Sequence, residues 1–266
     1  MEFINKSAPD HREAVRDIVH QLLEDSWNEE EARYIGADYN GLMRVPYRDP
    51  FKAVLLEEQQ DRCGYCLKNI ANDSGTTLEH IIPQSVDQVG FERYNHPFFE
   101  RVVHKDDFNL YVHAIPPPAG YPHDIAYENL IASCDSRTHC NHKRGNRFIQ
   151  PLLYDPAIGH LVEYDRRGGA YSEMYLDELA TLGISTDRNL ISYRRIWAEI
   201  AAVHPNMDEN NIGDETIIET LLDISETLDD AELTRTLENL YPLNGGSTKI
   251  QDLLRYRWFF RYYVEE

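Results

Sequence analysis

The chain has 266 residues, 42% hydrophobic and 27% charged, with 46 acidic against 26 basic side chains and a formal net charge of −20. That much apolar side chain excludes a chain disordered throughout. The negative balance excludes a protein that grips nucleic acid through its whole field, because phosphates and carboxylates repel; a local basic site stays compatible with it. No window reaches the ~18 apolar residues of a membrane helix, and the opening MEFINKSAPDHREAV lacks the apolar run of a signal peptide. A cytoplasmic location without membrane attachment is expected.

In chain order, Ala14, Ile18, Leu22 and Leu23 repeat at helical spacing, with Asp10 as the N-cap. A stretch with Gly36, Gly41 and Pro46 reads as ordered loop, and residues 50–62 read as a second helix beginning at Pro50. Residues 76–78 and 130–132 are β-type runs. Between them, residues 84–128 form an insertion with Pro97 and a proline triplet at 116–118. A loop that long inside a domain is functional or carries structure of its own. Residues 160–164 and 170–172 form a hairpin about Gly168 and Gly169.

The remainder reads as helical. Ser185 or Asp187 caps a helix with Leu190, Tyr193, Trp197 and Ile200 on one face; a second, over 215–228, carries Ile217, Leu221 and Ile224. An aromatic-rich helix over 249–263 closes the sequence. These stripes are read as core or docking surface. The expected division is a helical segment over 1–52, a central domain over 53–157 and an acidic, mostly helical domain over 158–266.

Charge is unevenly spread. Residues 1–50 hold 6 basic and 11 acidic side chains, residues 51–150 hold 10 and 13, and residues 151–266 hold 10 and 22. The least acidic part contains all four cysteines, Cys63, Cys66, Cys134 and Cys140. In a reducing compartment two close pairs point to a metal ahead of two local disulfides. Gly64 allows the turn that aims Cys63 and Cys66 at one point, and four thiolates meet the tetrahedral demand of a structural zinc. The second pair is separated by DSRTH, longer than the usual spacing. His139 lies inside that loop and is an alternative ligand.

Between the pairs stands Leu78-Glu79-His80-Ile81-Ile82-Pro83, then Glu128-Asn129-Leu130, and after Cys140 comes Asn141-His142-Lys143-Arg144-Gly145. This order resembles the HNH endonuclease family, whose pattern is C-x-x-C, D/E-H-x-x-P, N-L and C-x-x-C-H/N-x-x-K, over about residues 60–147. The longer spacing between Cys134 and Cys140 departs from it. The resemblance implies an α+β fold, a ββα-metal core with a structural four-cysteine zinc, flanked by helical N- and C-terminal segments.

Phosphodiester cleavage needs a base for water and charge relief on the phosphate and the leaving oxygen. His80 can be the base, since imidazole titrates near working pH. Glu79 can ligate a hard cation, Mg²⁺ or Mn²⁺. By resemblance Asn141 is the second ligand, with His142 its adjacent competitor, and Asn129 orients the loop carrying the histidine. Lys143, Arg144 and Arg147 form a basic cluster that can meet phosphates. His96, His104, His113 and His123 are read as structural or surface residues.

The layout, with Asp187-Arg188-Asn189-Leu190 and Arg194-Arg195 in the C-terminal part, is similar to the HNH nuclease subunits of retron and Septu anti-phage systems. That likeness implies an ABC-type ATPase partner on the acidic C-terminal part, and nucleic acid, DNA ahead of RNA, as substrate. Gly245-Gly246-Ser247-Thr248-Lys249 has the wrong order for a phosphate-binding Walker A loop. Two other classes fit the residues less well. A zinc-stabilised binding module without catalysis has no use for Glu79 and His80, and a zinc deaminase needs His-x-Glu before its C-x-x-C.

Overall fold

The computed structural model describes residues 1–110, 120–227 and 248–265. His113, the proline triplet at 116–118 and residues 245–247 of the glycine-rich stretch lie outside the described residues. The chain is α+β, mostly helical with small two-stranded sheets. It divides into two compact units, one of residues 1–66 and 70–160, the other of residues 67–69 and 161–266. The N-terminal helical segment therefore packs in the same unit as the four cysteines.

In the first unit α1 (Pro9–Ser26) starts one residue before Asp10, because Pro9 presets the backbone of the first turn. Its buried stripe is Val15, Val19, Leu22 and Leu23, so the helix is turned from the expected face: Ala14 is exposed and Ile18 half-buried. The loop after it contains a helical turn, Tyr39–Leu42, capped by Asp38, which accepts from the Gly41 amide at 2.8 Å. A Cβ at Gly41 would collide with the Gly36 carbonyl, so only glycine fits there. The second helix, α2 (Arg48–Glu58), ends before the first cysteine pair. Phe51, Leu55 and Leu56 of α2 join Val15, Val19 and Leu22 of α1, with Leu78, Leu130 and Ala132, in one core.

The central sheet pairs β1 (Thr76–His80) with a later strand. The insertion carries its own small structure: a helical turn at Gln88–Phe91, β2 (Val102–Val103), a short helix at Lys105–Leu110, and β3 (Tyr121–Pro122) parallel to β2. The partner of β1 is β4 (Leu130–Cys134), antiparallel, with Thr76 opposite Cys134, Leu78 opposite Ala132 and His80 opposite Leu130. Both strands run two residues past the apolar runs, because Glu79, His80, Ser133 and Cys134 are buried along with them. A short helix, α3 (Cys140–Arg144), follows and packs on β4.

In the second unit β5 (Glu163–Tyr164) and β6 (Ala170–Tyr171) form the expected hairpin, shortened because Ile158–Leu161 is helical. Next is α4 (Arg188–Val203), capped by Asp187, which accepts from the Leu190 amide at 2.7 Å. It buries Leu190, Trp197 and Ile200, and the Trp197 indole donates to the Leu253 carbonyl at 3.0 Å. After α5 (Asp214–Thr227), the aromatic run is two helices rather than one, α6 (Thr248–Leu254) and α7 (Trp258–Glu265). The break comes where Tyr256 turns inward, buried and stacked on Tyr193. No described helix is long and apolar enough to cross a membrane.

Candidate metal centre and strand-end site

Backbone and side-chain geometry converge the four cysteines. After α2, Gln59 lies against β4 like a further strand: its amide donates to the Ala132 carbonyl at 2.8 Å and its oxygen accepts from the Ala132 amide at 2.8 Å. The Gly64 amide adds a bond to the Ala132 carbonyl at 3.1 Å, so the knuckle is fastened to the strand that ends in Cys134. Leu67 and Cys140 both adopt left-handed backbone, φ 62 and φ 60. For residues other than glycine that conformation costs roughly 1 kcal/mol, and Cys140 adopts it where the DSRTH loop enters α3.

All four sulfurs are buried and lie within 4.8 Å of one another, with Cys63 to Cys140 and Cys66 to Cys134 both at 3.7 Å. A tetrahedral zinc with Zn–S near ~2.3 Å has sulfur–sulfur edges of about 3.8 Å. Burial pushes the Cys66 and Cys140 thiols up, while hydrogen bonds from Cys140, Cys63 and Cys66 hold Cys134 well down. Only a cation lets four such sulfurs ionise together in a buried site, so the donor set fits a structural Zn²⁺. His139 is buried beside the cluster, with Nδ1 3.0 Å from the Ser136 hydroxyl, and is not one of the four converging ligands.

The last residues of β1 form a second focus. Glu79 and His80 are both buried. His80 Nε2 lies 2.9 Å from the Asp124 carbonyl, which fixes the tautomer with the proton on Nε2 and the lone pair on Nδ1. The Tyr39 ring meets the imidazole edge-on at 4.8 Å between centroids. Burial lowers the His80 pKa to about 4, so the ring is neutral at physiological pH. Asn129 acts as Gln59 does. Its oxygen accepts from the Ile82 amide at 2.6 Å, and its nitrogen donates to the carbonyls of Ile82 at 3.0 Å and His123 at 2.6 Å. This wholly buried amide thus fastens the chain leaving β1 to the segment carrying Asp124.

Arg144 corrects a sequence expectation. It is buried, not presented to phosphates, and it donates to the Glu79 carboxylate at 2.7 Å and to the carbonyls of His80 at 2.6 Å and Ile81 at 2.5 Å. The reason is register: α3 packs on β4, and its inner face at the last turn meets the end of β1. Burial raises the Glu79 pKa to about 7 against the pull of this guanidinium. Asn141 is half-buried, and His142 and Lys143 are exposed. Arg147 is exposed but bonds back to the carbonyls of Arg144, at 2.9 Å, and Lys143, closing the end of α3.

Sequence reasoning missed Asp124, Tyr39 and the Arg144 contacts. Asp124 sits 44 residues from His80 in the insertion, and no local pattern marks it. Its carboxylate Oδ1 is buried without a hydrogen-bond partner among the described residues. The His104 and His123 rings stack at 5.0 Å, and His123 Nδ1 accepts from the Lys105 amide at 3.1 Å. Comparison with protein-family models, with curated proteins and with solved structures returned no match for this chain.

Proposed function

We propose that the protein is a metal-dependent endonuclease of the HNH type, built on a ββα-metal unit formed by β1, β4 and α3. The observation that carries the reading is His80: a neutral imidazole at a strand end, oriented through Nε2 by the Asp124 carbonyl, with Nδ1 left as a base. In this reading His80 takes a proton from the attacking water at Nδ1. Asn129 holds the loop that fixes the ring, and exposed Lys143 meets the phosphate chain.

Glu79 and Asn141 offer a carboxylate and an amide oxygen, a hard donor set that suits Mg²⁺ or Mn²⁺, with Arg144 competing for the carboxylate. A divalent cation held there would relieve charge on the phosphate and on the leaving oxygen. The buried Arg144–Glu79 pair also supports a second reading, a zinc-stabilised nucleic-acid- or protein-binding module in which Glu79 is purely structural.

The layout similar to anti-phage nuclease subunits extends the proposal to an effector subunit working with an ABC-type ATPase, docked on the acidic C-terminal part. Cleavage of DNA and RNA is to be assayed for the wild type and His80→Ala, with Mg²⁺ or with chelator, alone and with a candidate ABC-type ATPase partner. Mg²⁺-dependent cleavage lost in His80→Ala is expected. Equal cleavage by the two proteins would remove His80 from the mechanism, and binding without cleavage under every condition would favour the second reading.

A further inference from the structure

On α1, Arg12, Arg16 and His20 follow one another at four-residue spacing, on a helix whose buried stripe is Val15, Val19 and Leu22. The like charges of Arg12 and Arg16 at that spacing repel and weaken a helix, and they stand out in a chain of net charge −20. They line a cavity of about 620 Å³ whose far wall includes Arg101, Tyr121 and Glu128, a volume in the range of small-molecule sites.

The wall is rigidly built. The Tyr121 amide donates to the Arg101 carbonyl at 2.8 Å where β2 and β3 begin to pair. A Cβ at Gly120 would stand 2.6 Å from that same carbonyl, so glycine is required for the approach. The Tyr121 hydroxyl lies 2.7 Å from His20 Nε2, and Arg16 and Arg101 both act on it, opposing the rise that burial produces. Arg12 is neutralised by Glu128 at 3.1 Å, whereas Arg16 and Arg101 have no carboxylate partner among the described residues.

We infer that this cavity binds a phosphate-bearing ligand of nucleotide size, its phosphate held by Arg16, Arg101 and the Tyr121 hydroxyl. Guanidinium groups suit phosphate because their donors match its oxygens in pairs. Glu13 and Asp17 of α1 also line the cavity, so the phosphate end belongs at the Arg101–Tyr121 wall and the less charged end elsewhere. A ligand so placed also bears on the strand-end site. Tyr127 and Glu128 line the cavity and lead directly into Asn129, whose amide fastens the loop after His80. A ligand that draws Arg12 from Glu128 acts on the turn that carries Asn129.

Binding in this cavity is independent of the nuclease reading, and its test reads binding alone. The full chain is titrated calorimetrically, without added divalent cation, with pyrophosphate, a nucleoside triphosphate and a short single-stranded oligonucleotide. Saturable binding of pyrophosphate or the triphosphate, weakened about tenfold or more in the Arg16→Gln/Arg101→Gln double variant, is expected. Arg16 is exposed and Arg101 half-buried, so melting of the double variant is compared with the wild type, and Tyr121→Phe, which removes a single hydroxyl, provides a second variant expected to weaken binding. Binding of the oligonucleotide alone, lost in the same variants, would assign the phosphate to a nucleic-acid strand instead of a free nucleotide. No binding of any probe, or equal binding by wild type and both variants, would overturn the inference.

Discussion

Arg144 donates to the Glu79 carboxylate at 2.7 Å inside the protein, and the same guanidinium nitrogen reaches the His80 carbonyl at 2.6 Å. One side chain of α3 therefore neutralises the acid of β1 and anchors the backbone of the neighbouring histidine. Removing one member of a buried ion pair strands the other, at a cost of about 3–5 kcal/mol. Arg144→Ala is expected to lose stability of that order in urea denaturation, and Arg144→Lys, which keeps the charge without the fork, to lose less. Arg144→Ala within about 1 kcal/mol of wild type would mean that the pair does not hold the strand end together.

Asn129, just before β4, and Gln59, bonded at its middle residue, do the same work. Each presents an amide to a peptide unit, Ile82 and Ala132 respectively, and bonds both its N–H and its C=O. Truncating such an amide leaves buried backbone groups unpaired, each worth roughly 1–3 kcal/mol; at Gln59 the loss falls on the Ala132 amide, since the Ala132 carbonyl keeps its bond from Gly64. Asn129→Ala and Gln59→Ala should each lose at least about 2 kcal/mol of stability. They separate in their second effect: Asn129→Ala should free the loop after His80 and lower kcat in a cleavage assay, whereas Gln59→Ala should weaken metal retention. If Asn129→Ala instead leaves kcat unchanged, the loop does not depend on its amide.

The zinc centre gives the most direct test. Metal analysis of the purified protein should find about one Zn²⁺ per chain, and a strong chelator should lower the melting temperature. Cys63→Ser removes one sulfur from a set within 4.8 Å and should abolish tight retention. A protein that holds no zinc and melts identically with and without chelator would return the four thiols to the role of ordinary core residues.

The cysteine pairs, both halves of the central sheet, the 163–171 hairpin and the Asp187 cap were legible because each is marked locally, by spacing, β-branched residues or a capping side chain. What was not legible depends on long-range register. Nothing near Arg144 tells a phosphate-binding arginine from a buried one; only the packing of α3 against β4 decides it. Asp124 was invisible because its contribution to His80 is a backbone carbonyl, which every residue possesses. The Arg12, Arg16 and His20 stripe could have been found by scanning α1 for charges as well as for apolar residues, since their four-residue spacing is plain in the sequence.

Asp124 also sets a prediction for pH. Burial raises its pKa from 3.8 to about 6 against the pull of Lys105 and of the Asp124 and Tyr39 backbone amides, and its Oδ1 has no hydrogen-bond partner among the described residues. Between those two values the folded chain holds a proton that the unfolded chain has released. The contribution of this group to stability is therefore full below pH 3.8 and is lost as pH rises through about 6. At pH 8 the ionised, buried carboxylate costs up to about 3 kcal/mol, since each tenfold change in proton affinity is worth ~1.4 kcal/mol. Asp124→Asn keeps the shape and the backbone carbonyl that orients His80 while removing the charge. The variant should be more stable than wild type by up to about that amount at pH 8, with the gain shrinking through pH 6 and vanishing near pH 3.5. Denaturation curves at these three values decide it: a gain independent of pH would show that the substitution acts through packing, and a loss at pH 8 would show that Lys105 and the backbone amides outweigh the cost of burial.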